Sequence, residues 1–218
     1  MEKQRTRSRA AWKTAGEAVY DSEILGEILK ESGKTEFLGY QTTQTQAEIT
    51  AIIHQGELIS AITKGDEASV VLSRTPFYGE SGGQVGDTGT IEAKSGRLDV
   101  IDTQKPTPDL LVHKCKVIDG SIAPRIFVNA QIDGARRQKI AIGHTTTHIL
   151  HNALRTVLGD HVSQAGSLVE PERLRFDFTH YEAVSDSQIR EIEAFVNQKI
   201  RANNQVTIAE MPLQEAKD

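Results

Sequence analysis

Two incompatible hydrophobic periods divide this sequence. From about Tyr40 the apolar residues come in short runs: Ile49, Ala51 and Ile53 alternate, followed by Leu58-Ile59, Ala61-Ile62 and Val70-Val71-Leu72, each set broken by glycine or polar residues. A period of two places alternate side chains on one face, so these runs predict strands. The pattern continues through residues 88–93, 98–101 and 110–117, with Lys94-Ser95-Gly96 and Asp119-Gly120 as turn signals. About six closely spaced strands predict a small barrel or sandwich, with Pro106 and Pro108 marking a surface loop inside it. At Asp133-Gly134 the character changes. Residues 136–158 contain no proline and a single glycine, Gly143, and predict a long helix that stops at Gly159-Asp160.

Upstream, Trp12, Ala15, Val19, Ile24, Leu25, Ile28 and Leu29 recur at helical spacing in a proline-free stretch, a helical lead-in that Gly33 ends. Its basic opening, with Lys3, Arg5, Arg7, Arg9 and Lys13, reads as a solvated helix face in preference to a phosphate contact. Downstream, residues 162–169 and 174–178 read as strands around a Pro171-Glu172 turn, the second alternating Leu174, Phe176 and Phe178 against Arg175 and Asp177. Ser185 followed by Gln188 is a capping-box pattern, and Ile189, Ile192, Val196 and Ile200 supply one apolar face of the helix it starts. A last strand is expected over residues 206–209. The expected fold class is α+β: an N-terminal helical arm over residues 1–39, a small β-barrel-like, glycine-containing module over 40–134, and a core over 135–218 with helices packed on an antiparallel sheet.

Composition removes several classes of function. With 30 acidic against 25 basic residues and a net charge of -5, overall charge cannot drive binding to nucleic acid, although local basic patches can. One cysteine, Cys115, cannot build a disulfide framework; it fits a reducing compartment and reads as a small buried hydrophobe. No apolar run approaches membrane-spanning length, and the start Met1-Glu-Lys-Gln-Arg is no secretory signal. A soluble, cytoplasmic chain with no membrane partner is expected.

Two stretches can carry chemistry. His144-Thr-Thr-Thr-His148 puts two imidazoles four residues apart, on one face of the expected helix. Such a pair can grip zinc without distorting the backbone, but zinc needs more ligands, and no glutamate follows His144 as the metalloprotease helix motif requires. A structural place at the edge of a buried face explains the same spacing equally well. His151 shares the face as a third ligand or, the preferred reading, as a neighbour. His54, His113, His161 and His180 have no partner by spacing. The second stretch runs from Thr75-Pro-Phe-Tyr78 to Gly89 and holds five glycines. Glycines let a backbone turn sharply and approach a ligand closely, while the Thr75 hydroxyl and the Gln84 amide can read a small polar group. The spacing matches neither the dinucleotide fingerprint nor the phosphate-binding loop, and composition alone favours a tight hairpin in a barrel.

Taken together and in order, these stretches resemble the editing domain of alanyl-tRNA synthetase and the free-standing trans-editing proteins related to it. The matching segments are Thr75-Pro-Phe-Tyr78 through Ser81-Gly-Gly-Gln84-Val-Gly-Asp87, and His144-Thr-Thr-Thr-His148-Ile-Leu-His151 followed by Gln164-Ala-Gly-Ser-Leu168 and Leu174-Arg-Phe-Asp-Phe178. The lead-in helix and Phe37-Leu-Gly-Tyr40 look like the part of the synthetase just before that domain, so the resemblance spans essentially the whole chain. It implies hydrolysis of the ester that joins a wrong amino acid, chiefly serine and also glycine, to tRNA(Ala). The partners it implies are tRNA(Ala) and the remainder of a synthetase chain.

In that family zinc is held by two histidines of the His-x-x-x-His segment and by a cysteine and a histidine from a later Cys-x-x-x-His segment. Here His144 and His148 are the counterparts of the first pair, and the chain reaches Asp218 before the second would appear, so an excised fragment with half a metal site is expected. ATP and Mg2+ would belong to an aminoacylation domain that this sequence does not contain. Gln84 and Thr75 are the candidates for reading the amino acid or placing the water. Arg136, Arg137, Lys139, Arg173 and Arg175 are candidates for phosphate contact, each of them also an ordinary solvated charge. The alternatives are a tRNA-docking module without catalysis and, ranked lower, an unrelated metal-dependent hydrolase.

Overall fold

The computed structural model describes residues 20–206 together with 211, 212 and 215. The expected helix before Tyr20 and the expected strand beyond Val206 therefore lie outside the described residues. The chain divides into two compact units, Met1–Ser81 with Val85–Arg137, and Gly82–Gln84 with Gln138–Asp218. The mixed α+β class is the one formed.

The first unit contains α1 (Ser22–Ser32), β1 (Glu36–Phe37), β2 (Gln44–His54), β3 (Glu57–Leu58), β4 (Ile62–Thr63), β5 (Glu67–Leu72) and β6 (Arg74–Thr75). There follow β7 (Gly89–Ala93), β8 (Gly96–Thr107), β9 (Leu110–Ile122) and β10 (Phe127–Ile132). Strands β2, β10, β7, β8, β9 and β5 pair antiparallel in that order, and β5 returns to β2. Of the two architectures the strand pattern allowed, the closed barrel is the one formed, and closure leaves these six strands no free edge. Its interior is filled by Ile49, Ile52, Val70, Leu72, Phe77, Ile91 and Leu98, all fully buried, with Cys115 among them. Burial pushes the Cys115 thiol up, so it is inert.

The strand that closes the barrel, β10, is absent from the sequence reading. Its alternation is regular, with Val128, Ala130 and Ile132 inward and Phe127, Asn129 and Gln131 outward, but one inward residue is only alanine and two outward ones are amides. A second correction concerns β2. Ile49, Ala51 and Ile53 do not share one face, because a bulge between Ile49 and Ala51 shifts the parity. Ile49 and Ile52 enter the barrel, while Ala51 and Ile53 turn outward beneath α1. Asp119-Gly120 does not end a strand either; it lies within β9 opposite Arg97 and Gly96. Pro106 belongs to β8, and the expected loop is a tight turn at Pro108-Asp109.

Helix α1 ends at Gly33, as its pattern predicts, but it starts at Ser22, where the Asp21 side chain accepts from the Glu23 amide at 2.8 Å, a start that the pattern running on from Trp12 does not mark. Leu25 and Ile28 are buried against Ala51, Ile53, Val71, Leu110 and Val112, each contributing about 1.5–3 kcal/mol. Inside the same unit Asp87 is 1% exposed and receives Arg137, whose Nε lies 2.9 Å from both carboxylate oxygens. Arg137 also donates to Gly39 O at 3.0 Å and Pro76 O at 3.1 Å, so all three guanidinium nitrogens are engaged within the unit.

The second unit holds α2 (Gly134–Leu158) from Gln138 onward, β11 (Gln164–Val169), β12 (Leu174–Phe178) and α3 (Asp186–Ala202). Strands β11 and β12 form the expected antiparallel pair. Ser185 and Gln188 form the expected capping box, with the Ser185 amide donating to Gln188 Oε1 at 2.9 Å. Ala153, Leu154, Val162 and Ile192 form the core, and Phe176, Phe178, Phe195 and Val196 pack on it. Of the apolar face expected for α3, Ile192 and Val196 pack, whereas Ile189 and Ile200 are 42% and 50% exposed. Among the described residues no helix is long and apolar enough to cross a membrane.

Replacing Asp87 with alanine strands the Arg137 charge in a site where its partner is almost fully buried. Urea unfolding should show a loss of about 3–5 kcal/mol, against less than about 1 kcal/mol for Asp119→Ala, whose pairing with Lys64 is on the surface.

Candidate active site

The glycine-rich stretch leaves β6 and returns at β7 as a loop whose ends are tied to each other. The Asp87 amide donates to Tyr78 O at 2.9 Å, and the Tyr78 amide donates to the Asp87 carboxylate at 2.8 Å. Within the second unit, the loop's tip lies along β11. The Val169 amide donates to Gly83 O at 2.7 Å, and Gln84 forms an isolated parallel bridge with Val169. Only glycine fits there. Gly83 has φ +84°, and a Cβ on it would lie 2.5 Å from Ser167 O. The close approach anticipated for these glycines is thus made to a strand of the protein's own chain.

That approach delivers Gln84 to the histidine helix. His144 Nδ1 lies 2.7 Å from Gln84 Oε1; since the amide oxygen accepts, Nδ1 carries the proton and Nε2 keeps its lone pair. His144 and His148 stack with ring centroids 5.1 Å apart and 16° between planes, the arrangement expected four residues apart on a helix. The His144 imidazole pKa is lowered from its ordinary value, first by burial and then by the neighbouring His148. Both rings line a cleft of about 40 Å³, room for a few water molecules, together with Gly82, Thr147, His151 and Ser167. The Gly-Gly-Gln segment and the His-x-x-x-His helix therefore share one site, with Gln84 itself 7% exposed.

Two imidazoles supply half of a four-coordinate zinc set, and the Nδ1–H bond to a carboxamide is the outer support that ligating histidines use. The donor chemistry at His144 and His148 thus fits zinc. Among the described residues no group of three or more His, Cys, Asp or Glu is placed to hold a metal.

Thr75 is elsewhere. It is fully buried in the first unit, where its Oγ1 lies 2.8 Å from His113 Nε2 and accepts from the Phe77 amide at 3.1 Å. His113 Nδ1 must donate to Val70 O at 2.9 Å, so Nε2 is an acceptor and the Thr75 hydroxyl donates to it. Burial lowers the His113 pKa to about 4, against the raising effect of the Val70 carbonyl. The basic candidates are paired as well. Arg137 is spent on Asp87, Arg136 donates to Gly86 O at 2.8 Å, and Lys139 meets Glu172 at 2.6 Å. Arg173 pairs with Glu170 and Arg175 with Asp177. Sequence spacing could not reveal Arg137–Asp87 or Thr75–His113, whose members are 50 and 38 residues apart.

The family model for class II (A) tRNA synthetases matches residues 1–136. The chain belongs to the class II (A) tRNA synthetase family. The alanine-tRNA ligase of Magnetococcus marinus is 47% identical over 217 residues, which is 99% of this chain and 25% of that protein. The alanine-tRNA ligases of Nitrobacter winogradskyi and Acetivibrio thermocellus are 44% and 45% identical, over all of this chain and 24% of their own lengths. The chain thus spans about a quarter of the length of these synthetases and is homologous to an internal segment of them.

Two outcomes test this geometry. Gly83→Ala should break the bond to the Val169 amide at a cost of about 1–3 kcal/mol, seen as faster hydrogen exchange at Val169. Below pH 6.5 an unfolded imidazole takes up a proton, whereas buried His113 stays neutral down to about 4. Stability present above pH 6.5 should therefore fall between pH 6.5 and 4, by up to roughly 3 kcal/mol, and then level off. Urea titrations at each pH should show that fall reduced by a comparable amount in His113→Gln.

Proposed function

We propose that this cleft hydrolyses the aminoacyl ester of mischarged tRNA, removing chiefly serine, and also glycine, from tRNA(Ala). The observation that carries the reading is the hydrogen bond between His144 and Gln84, which joins the two sequence motifs at one polar cleft. A synthetic site shaped for a methyl group cannot strongly reject serine, which merely adds a hydroxyl, so a second, hydrolytic site has a physical reason to exist.

The reaction splits the bond between the acyl carbon and the ribose oxygen, with water supplying hydroxyl to the amino acid and a proton to the ribose. Gln84 Oε1 is occupied by His144, which leaves its amide N–H groups to hold the attacking water or the ester carbonyl. His144, kept neutral by burial, holds the proton on Nδ1 and presents Nε2 as a base or ligand. Zinc held by His144 and His148 would supply Lewis acidity or orient the substrate. Thr75 acts at one remove, its hydroxyl stabilising the Phe77 backbone.

The partners of this reading are tRNA(Ala) and the rest of a synthetase chain, in the cytoplasm. Phosphate contacts must compete with the carboxylates now paired to Lys139, Arg173 and Arg175. A tRNA-docking module without catalysis is the second reading, favoured by the presence of only two placed metal donors among the described residues.

Seryl-tRNA(Ala) hydrolysis by the intact synthetase should fall by about a hundredfold or more in Gln84→Ala; unchanged deacylation would remove Gln84 from the site. Binding of tRNA by the present chain should be weak and should decline steeply as salt rises. Salt-independent binding would exclude a phosphate-dominated contact.

A further inference from the structure

We propose that His151 is the residue that tells serine from alanine in this cleft, its Nε2 meeting the seryl hydroxyl; the inference rests on the hydrolytic reading above. His151 lies three residues after His148 on α2, on the same helix face as both stacked histidines, and it lines the same cleft. Its Nε2 is buried and has no hydrogen-bond partner among the described residues. Among the described residues two other side-chain atoms share that condition, Thr107 Oγ1 and His180 Nε2, and neither residue lines this cleft.

Two of the polar side chains that line the cleft with it, Thr147 and His144, are engaged within the protein. Thr147 donates to Gly143 O at 2.9 Å, and Gln84 Oε1 accepts from His144. A buried ring nitrogen without a partner is costly, and at a site such a group is matched when the ligand arrives. The ring is held in place for this by Phe176 of β12, with centroids 5.2 Å apart. A seryl hydroxyl both donates and accepts, so it complements His151 Nε2 in either tautomer. An alanyl methyl supplies neither and leaves the nitrogen unpaired. The cleft's small volume suits a side chain of that size. A site built to hydrogen-bond a hydroxyl rejects an analogue lacking it far better than an apolar pocket rejects an added one.

The test uses serine, alanine and glycine each amide-linked to 3′-amino-3′-deoxyadenosine, titrated calorimetrically into the present chain. The wild-type protein should bind the seryl compound about tenfold or more tighter than the alanyl one. His151→Phe keeps the ring against Phe176 and deletes the nitrogen; it should bring that preference to within about threefold and leave the glycyl compound within about twofold. Because an unpaired buried nitrogen is replaced by carbon, the melting temperature of His151→Phe should hold or rise. His151→Gln, whose amide can stand in for Nε2, should recover part of the preference. A full seryl preference in His151→Phe, or a lower melting temperature with all three compounds weakened alike, would overturn the assignment. If seryl-tRNA hydrolysis by the intact synthetase survives that result, His151 alone is removed. If the wild-type chain binds none of the three, the hydrolytic reading falls and this inference with it.

Discussion

The hydrogen bond from His144 Nδ1 to Gln84 Oε1 is the contact on which the site depends, and a backbone constraint makes it possible. Gln84 reaches His144 because Gly83 lies so close to β11 that a Cβ there would meet Ser167 O. Gly83 O then receives the Val169 amide, which fixes the height of the loop along the strand. One residue type at one position thus sets the orientation of an imidazole 60 residues downstream of Gln84. The same bond chooses the tautomer of that imidazole and leaves the lone pair on Nε2.

The base of the glycine-rich loop is fixed by different chemistry. In the first unit Asp87 ties back to Tyr78 and takes both oxygens of its carboxylate to Arg137. Thr75, His113 and Val70 form a second buried chain in which each donor has an acceptor. Buried polar groups of this kind specify an arrangement only when all of them are satisfied. They account for two residues with attractive chemistry that do structural work. Arg137 is not free for phosphate, and the Thr75 hydroxyl is not free for a ligand.

The second unit shows the opposite pattern. Its helix and two strands leave a small polar cleft in which one imidazole nitrogen, on His151, is buried without a partner among the described residues. A stable fold removes such groups unless something else requires them. The paired Asp87–Arg137 and Thr75–His113 groups belong to the scaffold, and the unpaired imidazole nitrogen belongs to the cleft. The chain belongs to the class II (A) tRNA synthetases and is closely similar to about a quarter of several alanine-tRNA ligases, the setting in which the proposed hydrolysis would have a use.

Local order was legible in the sequence because it is set by residues near one another. The switch from a period of two to a long proline-free run placed the barrel strands and α2; Gly33, Gly159 and the Ser185/Gln188 pair marked helix ends. The two motifs that form the site were also visible as words, and their resemblance to a known family paired them before any coordinates did. The facing of β2 was not legible, because a bulge reverses parity without any change in composition. Nor was β10, whose inward alanine and outward amides weaken the alternation. Which polar residue meets which, Gln84 with His144, Asp87 with Arg137, Thr75 with His113, was decided by the tertiary structure alone. Those pairings depend on sheet register and loop closure across tens of residues, and no spacing along the chain encodes a distance through space.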